Sequence, residues 1–187
     1  CADIGEDNWF KWQIQDGEPE NTYNTSAFHG PVLTESQVSI SYVAGNDSYV
    51  NRSSGINQVV RFAVNVFDLE NSSYASNVNV SFWVTNNSIN YRLDLITQTD
   101  LQGNAYYYFN PDCSYSTGLQ YWLAGVTDSC YVDVNTTEFT TYVIGDLSNS
   151  ILEPTGITEY KRGENVTIRA YVSSDCSWEI LDEGVSI

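Results

Sequence analysis

Residues 58–68, with the sequence QVVRFAVNVFD, decide the fold class of this chain. Apolar side chains occupy every second position of the stretch: Val60, Phe62, Val64 and Val66. Arg61 and Asn65 lie between them and therefore point to the opposite face of an extended chain. A period of two is typical of a strand with one buried face. The stretch therefore predicts a β-strand that packs its apolar face into a core.

The same period recurs along the middle of the chain, interrupted by turn residues about every 8–12 positions. Strands are predicted at 37–43, 58–68, 77–85, 90–98, 104–109, 119–126, 129–134 and 138–144. In TDLQGNA, at 99–105, Asp100 and Gly103 supply the turn chemistry of a hairpin. Seven or eight short strands within about 110 residues match the content of one immunoglobulin-like sandwich. We therefore predict an all-β fold with an immunoglobulin-like β-sandwich over residues 31–146.

Two shorter segments flank this predicted sandwich in the 187-residue chain. Residues 1–30 are strand-like and aromatic but too short to form a core, so they are predicted to be an N-terminal flank, either the end of a preceding domain or a donor strand. Residues 147–187 are predicted to start a second sandwich, with its first strands at 157, 160 and 165–172. That sandwich would be incomplete, because such a domain needs roughly 100 residues. Three interpretations remain open: the chain is a fragment, the flanks complete each other, or a neighbouring copy supplies the missing strands. The last would be a head-to-tail contact of the kind that builds filaments.

Two runs of sequence carry a resemblance to a known family. In residues 97–145, a T-D-x-x-G-x-A turn leads to the aromatic strand NAYYYF, then to the strand GLQYW, then to a closing strand that ends at Gly145. This run resembles the end of the immunoglobulin-like repeats of prokaryotic, especially archaeal, cell-surface and adhesin-like proteins. EYKRGENVTIRAYV, at 159–172, looks like the opening of a following repeat. The resemblance implies a stalk, S-layer or sheath unit, filament subunit or adhesin, and it implies no active-site residue.

The charge of the chain argues against several classes of partner. Seven basic and 24 acidic residues give a formal net charge of −17. Nucleic-acid binding depends on Lys and Arg that neutralise phosphates, so nucleic acid is a poor partner, as is an anionic membrane surface. No apolar run approaches the roughly 18 residues of a membrane span. The 42% hydrophobic content is enough for a packed core.

The most specific local signal is the N-glycosylation motif N-x-[ST], which occurs eight times. About 3.5 occurrences would arise by chance from the 18 Asn and 36 Ser or Thr residues of the chain. Asn79 is predicted to lie on the polar face of its strand, and most of the others fall in loop-like stretches. We therefore predict secretion and N-linked glycans on several of these residues: Asn24, Asn46, Asn51, Asn71, Asn79, Asn86, Asn135 and Asn165.

The four cysteines are consistent with an oxidising compartment. No C-x-x-C pair is present, so a zinc site is not indicated. Four cysteines allow three pairings, of which Cys113–Cys130 together with Cys1–Cys176 is the first choice, because Cys113 and Cys130 flank one short segment. Alternatively, Cys1 and Cys176 pair with cysteines on other parts of a longer protein.

No constellation of catalytic residues is recognisable, so the chain is predicted not to be an enzyme. His29 is the single histidine and precedes Gly-Pro, where a surface or hinge role is expected. No cofactor is predicted, although a structural calcium ion is an option near the junction that follows the sandwich, where acidic residues gather: Asp128, Asp133, Asp146, Glu153 and Glu159.

The sequence therefore predicts an extracellular or cell-surface structural protein: a glycosylated module of a surface layer, sheath or filament. Its partners would be copies of itself or other surface proteins, and strand complementation between subunits is one mode of assembly. The alternative is an adhesin or carbohydrate-binding module with a planar row of exposed aromatic side chains. Candidates for that row are Trp83, Tyr106, Tyr108 and Trp122.

Overall fold

A computed structural model describes residues 4–5, 8–15, 22–52, 59–157 and 159–176. These residues form strands in several sheets and no helix, so none of them belongs to a helix that could cross a membrane. The strands are β1 (Trp9–Phe10), β2 (Gln13–Gln15), β3 (Thr22–Asn24), β4 (Phe28–His29), β5 (Val38–Ala44), β6 (Ser48–Asn51), β7 (Val60–Asp68), β8 (Ser73–Tyr74), β9 (Asn79–Thr85), β10 (Tyr91–Gln98), β11 (Asn104–Phe109), β12 (Gly118–Val126), β13 (Val134–Asn135), β14 (Phe139–Ile144), β15 (Leu147–Glu153) and β16 (Arg169–Ser174).

Two sheets form the body of the molecule. The large sheet has the order β10-β9-β12-β14-β6, with β13 paired to the far end of β12. The small sheet has the order β11-β7-β5, with β8 paired to β7. All these pairs are antiparallel except β14–β6, which is parallel. The chain therefore crosses between the sheets after β5, when it leaves the small sheet and joins the edge of the large one as β6.

The two sheets pack face to face through alternating apolar side chains. Phe62 of the small sheet stacks on Trp122 of the large sheet, with ring centroids 4.4 Å apart and planes 5° from parallel. Both side chains are fully buried. Four of the valines of β7 and β9 that the alternation predicted to be apolar-face residues are also fully buried: Val64, Val66, Val80 and Val84. Val60, at the start of β7, is half-buried against the core. Burial of apolar area at about 25 cal/mol per Å² is the main term that holds such a core together.

The turn from β10 to β11 also crosses between the sheets. Asp100 accepts hydrogen bonds from the backbone N–H groups of Gln102 and Asn104, at 2.9 and 2.8 Å. Gly103 has a φ of 73°, and a Cβ there would lie 2.4 Å from the carbonyl oxygen of Val66. The turn predicted from TDLQGNA is present, but the strands that it joins lie in different sheets and do not form a hairpin.

The chain enters this sandwich at one end and leaves it at the other. Gly118, the first residue of β12, pairs with β14 close to where the chain leaves. Val126, the last residue of β12, pairs with β13 at the opposite end. There the N–H of Ser36, just before β5, donates to the carbonyl of Cys130 at 3.0 Å. At about 3.3 Å per residue, a nine-residue strand separates the two ends by roughly 30 Å.

Each end of the sandwich continues into a two-stranded ribbon. The N-terminal ribbon pairs β1 with β4 and β2 with β3. The C-terminal ribbon pairs β15 with β16, from Leu147 opposite Ser174 to Glu153 opposite Arg169. Apolar side chains stay exposed on both ribbons, among them Trp12 (66%), Ile14 (64%), Ile151 (75%) and Ile168 (63%). Isolated two-stranded ribbons are marginally stable in water. The exposed apolar side chains on both ribbons are surface that a partner would cover.

The alternation predicted most strands of the sandwich within a few residues, but three predictions differ from the structure. The predicted strand 129–134 is wrong, since these residues form a turn, an isolated bridge at Tyr131 and irregular backbone before the short β13, which begins at Val134. β6 was not predicted, because its sequence SYVN has a single buried apolar residue, Val50. Beyond the sandwich, strands were predicted at 157, 160 and 165–172, whereas β15 starts at Leu147 and β16 at Arg169.

Candidate functional site

A disulfide ties the C-terminal ribbon to the sandwich. Cys113 bonds to Cys176, with their Cα atoms 5.6 Å apart. The predicted pairs Cys113–Cys130 and Cys1–Cys176 are therefore wrong. Cys113 precedes β12 and Cys130 follows it, so the strand holds them at opposite ends of the sandwich, whereas a disulfide needs Cα atoms within about 7 Å. Cys130 is itself disulfide-bonded, and Cys1 lies outside the described residues.

A buried ion pair lies beside this disulfide. The guanidinium of Arg52, just after β6, donates to both carboxylate oxygens of Asp175, through Nε at 3.2 Å and Nη2 at 3.1 Å. Its Nη1 donates to the carbonyl of Tyr115 at 2.7 Å. The side chains of Arg52 and Asp175 are 12% and 6% exposed. Burial alone would raise the pKa of Asp175, but the hydrogen bonds and charge of Arg52 hold that pKa below its usual value.

A groove of about 770 Å³ opens at this joint between the sandwich and the C-terminal ribbon. One wall carries Tyr49 of β6 and Tyr142 of β14, which are neighbours in the parallel register and stack at 4.9 Å. Ile144 and Leu147 add apolar surface, and Ser116 and Thr117 add hydroxyl groups. The groove therefore combines an aromatic wall with hydrogen-bonding groups, the combination that small polar ligands use.

An acidic side chain at the rim of the groove adds acceptors. Asp146 lines the groove and is exposed. Its two carboxylate oxygens accept hydrogen bonds from Nδ2 of Asn51, at 3.2 and 3.1 Å. A carboxylate has about four lone-pair positions, so further donors can bind it.

A second polar cluster fixes the loop that carries Cys113. Asp94 of β10 is 2% exposed and accepts hydrogen bonds from the hydroxyls of Tyr107 and Tyr115 and from Nε of Arg92, the last at 3.0 Å. The guanidinium of Arg92 also lies over the ring of Tyr115. Burial is the larger cause that raises the pKa of both tyrosines, and the charge of Asp94 and the hydrogen bonds to it raise the pKa further. Both hydroxyls therefore stay protonated and act as donors. The cluster therefore holds the loop in place rather than presenting a reactive group.

The four aromatic candidates for a sugar-binding row do not form one row. Trp122 is fully buried between the sheets, so its assignment to an outer face is wrong. Tyr106 is half-buried under the guanidinium of Arg61. Tyr108 is 60% exposed at the edge of the small sheet, whereas Trp83 is half-buried on the outer face of the large sheet. The aromatic pair beside the groove, Tyr49 and Tyr142, was not among the candidates.

All eight predicted glycosylation sites lie within the described residues. Five of the asparagines are exposed: Asn24, Asn46, Asn71, Asn135 and Asn165. Three are half-buried: Asn51, Asn79 and Asn86. The Nδ2 atoms of Asn46 and Asn71 already donate to the neighbouring carboxylates of Asp47 and Asp68, at 3.0 and 2.8 Å. Glycosylation of the eight sites remains a prediction.

The acidic residues considered for calcium are spread over several places. Asp128 caps the turn after β12 by accepting from the N–H groups of Cys130 and Asn79, at 3.0 and 3.1 Å. Glu153 lies 3.7 Å from the guanidinium of Arg169. Within the described ranges no three His, Cys, Asp or Glu side chains are grouped so as to hold a metal ion. His29 is on the surface, where its ring lies against that of Trp9 with centroids 3.8 Å apart and planes tilted by 37°.

Comparison with solved structures finds similar chains. No protein-family model matches the sequence, and no curated protein matches it. The chain is similar to the crystal structure of a tetra-tandem repeat in the extending region of a large adhesion protein, at 14% sequence identity and a TM-score of 0.45. The match covers 91% of this chain and 39% of that one, so the chain spans well under half of the length of the structure it matches.

Proposed function

We propose that this chain is an extracellular structural module that links neighbouring parts of a cell-surface layer, sheath or filament in line. The observation that carries the proposal is the path of the chain, which enters the sandwich at one end and leaves it roughly 30 Å away at the other. A module of this kind adds its own length to an array. The proposal assigns no catalytic activity to it.

The disulfides support the extracellular location. Cys113, Cys130 and Cys176 are all disulfide-bonded. Cytosolic reductants keep most thiols reduced, so structural disulfides favour a secreted or surface-exposed protein. The five exposed glycosylation motifs are compatible with the same location.

The strand order supports an immunoglobulin-like arrangement of the sandwich. In that fold strands A, B and E lie on one sheet and strands C, F and G lie on the other. Here β5, β7 and β11 lie on the small sheet in the corresponding chain order. β9, β12 and β14 lie on the large sheet, and β10 takes the place of the additional C′ strand.

A second copy of the chain is the proposed partner of the two ribbons. The ribbons are where large apolar side chains are exposed, among them Trp9, Trp12 and Ile14 on the N-terminal ribbon and Ile151 and Ile168 on the C-terminal ribbon. Exposed apolar surface of this kind is typical of a contact with another protein chain.

Electron microscopy of unreduced native material tests this assembly. We expect chains in line, with the N-terminal ribbon of one copy against the C-terminal ribbon of the next. W12E/I14E should abolish the assembly, whereas L101E, which changes a side chain that is 78% exposed outside the ribbons, should not. Dispersed monomers at every concentration, or ribbons covered by other segments of a longer chain, would refute contact between copies.

A labelling experiment tests the location separately. Intact cells are treated with a membrane-impermeant amine reagent, which should modify the exposed residues Lys11 and Lys161. A protein that is labelled only after lysis, and whose cysteines are reduced in the cell, would overturn the extracellular proposal.

Binding of a saccharide at the groove is a second candidate function, and the stacked pair Tyr49 and Tyr142 favours it. Tyr49 is 65% exposed although one face of its ring is covered by Tyr142. Asp146 at the rim can accept hydrogen bonds from sugar hydroxyls. A glycan-array screen of the wild type and of Y49A tests this function, and loss of all binding in Y49A is the expected result. Binding that is equal in both proteins, or absent in the wild type, would refute it.

A further inference from the structure

The outer face of the large sheet carries an apolar row. Trp83 of β9 pairs with Leu93 of β10 on one side and with Leu123 of β12 on the other, so the three side chains lie side by side across three strands. Leu93 is 50% exposed, and Trp83 and Leu123 are half-buried. The row faces away from the core formed by Phe82 and Val84.

A glycine at the end of this row brings an asparagine next to the indole ring. Gly125 is two residues beyond Leu123 on the same face of β12, and it pairs with Asn135 of β13. A Cβ at Gly125 would lie 1.9 Å from Oδ1 of Asn135 and 3.1 Å from Cζ3 of Trp83. Oδ1 of Asn135 and Cζ3 of Trp83 are therefore no more than 5.0 Å apart over bare backbone, at a position that a side chain on residue 125 would fill.

Asn135 is also the acceptor of a complete glycosylation motif, Asn135-Thr136-Thr137, which lies entirely within the described residues. Its side chain is exposed, and its amide oxygen faces Gly125. The glycosylated atom is Nδ2, on the other branch of the same amide. Asn46 and Asn71 differ, because their Nδ2 atoms face carboxylates.

We propose that Asn135 carries an N-linked glycan whose first saccharide packs on Trp83 and covers the apolar row. The inference rests on the proposed function, since the chain must be exported to be modified. One face of a hexopyranose presents mainly C–H groups, and stacking it on an indole removes apolar area of both from water. The glycan then has a structural role, since it shields a hydrophobic strip on a module that is packed among copies of itself.

The modification is a glycosyl transfer from a lipid-linked glycosyl diphosphate. Nδ2 of Asn135 attacks the anomeric carbon, and a new N–C bond forms. The bond from that carbon to the diphosphate oxygen breaks, and the diphosphate leaves with the electron pair. The amide loses one proton to the base of the transferase and keeps the other, and nothing is oxidised or reduced.

Glycopeptide mass spectrometry and NMR of the native glycoprotein test the proposal. We expect Asn135 to be occupied, and we expect protons of its first saccharide to be shifted upfield by the ring current of the indole. W83L should abolish the upfield shift without changing occupancy, and W83F should keep a smaller one. T137A should remove the glycan and increase the binding of a hydrophobic dye, whereas N165Q, at an exposed site on the C-terminal ribbon, should leave the shift and dye binding unchanged.

Three results would overturn the inference, and they separate it from the proposed function. An unmodified Asn135 on a protein with other sites occupied refutes the inference and leaves the extracellular role intact. A glycan at Asn135 whose protons resonate at the same positions in the wild type and W83L refutes the packing. No glycan at any site, on a protein located inside the cell, refutes both.

Discussion

Removing the disulfide at the joint should strongly destabilise the protein. C113S/C176S opens a covalent loop in which the two cysteines are 63 residues apart. In the chain-entropy description, such a loop lowers the entropy of the unfolded chain by an amount worth about 4 kcal/mol at 25 °C. We expect the free energy of unfolding to fall by about that amount. With a urea slope of about 2–3 kcal/mol per M, the midpoint should fall by about 1.5 M.

The assay is equilibrium urea unfolding, followed by tryptophan fluorescence, with limited proteolysis of the native protein beside it. The Arg52–Asp175 pair remains in the variant and still holds the ribbon to the sandwich, so the protein should not unfold globally at neutral pH. Without the disulfide the ribbon should open locally more often, so protease cleavage within β15 and β16 should increase. S148A/S150A, which changes two exposed side chains of β15 in the same ribbon, is the matched control and should behave as the wild type.

A change of less than about 1 kcal/mol in C113S/C176S, with unaltered protease resistance, would refute the reasoning. That result would mean that the unfolded chain is already compact enough around these residues for the cross-link to remove little entropy.

Three further predictions concern the core, the ion pair and a turn. F62A, which removes a fully buried ring stacked on Trp122, should cost about 3–5 kcal/mol in urea unfolding. The pKa of Asp175 is lowered in the folded state, so this carboxylate contributes stability above its usual pKa and loses that contribution as the pH falls through the folded value. R52Q should therefore destabilise most at neutral pH, and the difference from the wild type should shrink as the pH falls below the usual Asp pKa of about 3.9, as measured by urea unfolding at pH 7 and pH 2.5. G103A places a methyl group 2.4 Å from the Val66 carbonyl at a φ of 73°, and its Tm should fall by several degrees, corresponding to about 1–3 kcal/mol.

The strands of the sandwich and their buried faces were predictable from the sequence where one face of the strand is mainly polar. In β7 and β9 the alternation fixes both the strand and its buried face, because a shift by one residue would expose every valine. β12 differs, since Leu119, Tyr121 and Leu123 alternate with Trp122 and Ala124, and both faces are apolar. The pattern therefore predicted the strand but could not decide which side of it Trp122 occupies.

The joint was not predictable, because its contacts depend on which strand ends meet in space. Arg52 and Asp175 are 123 residues apart and neither lies in a recognisable motif. Cys113 pairs with Cys176 because the C-terminal ribbon brings Cys176 to this end of the sandwich. Proximity in sequence favoured Cys130 instead, which was wrong. Tyr49 was missed with its strand, since β6 is short, polar and paired in parallel to a strand about 90 residues later.

The disulfide at the joint also decides how tension would travel through the module. A pull applied between β11 and residue 176 passes through the sulfur atoms of Cys113 and Cys176. The strands from β12 to β16 lie within the covalent loop and carry none of that pull. The 63 residues between the cysteines are therefore hidden length of roughly 200 Å when fully extended. A reductant would make this length available, so force–extension traces with and without reductant should differ by about that distance. A surface built from such modules would therefore lengthen when its disulfides are reduced.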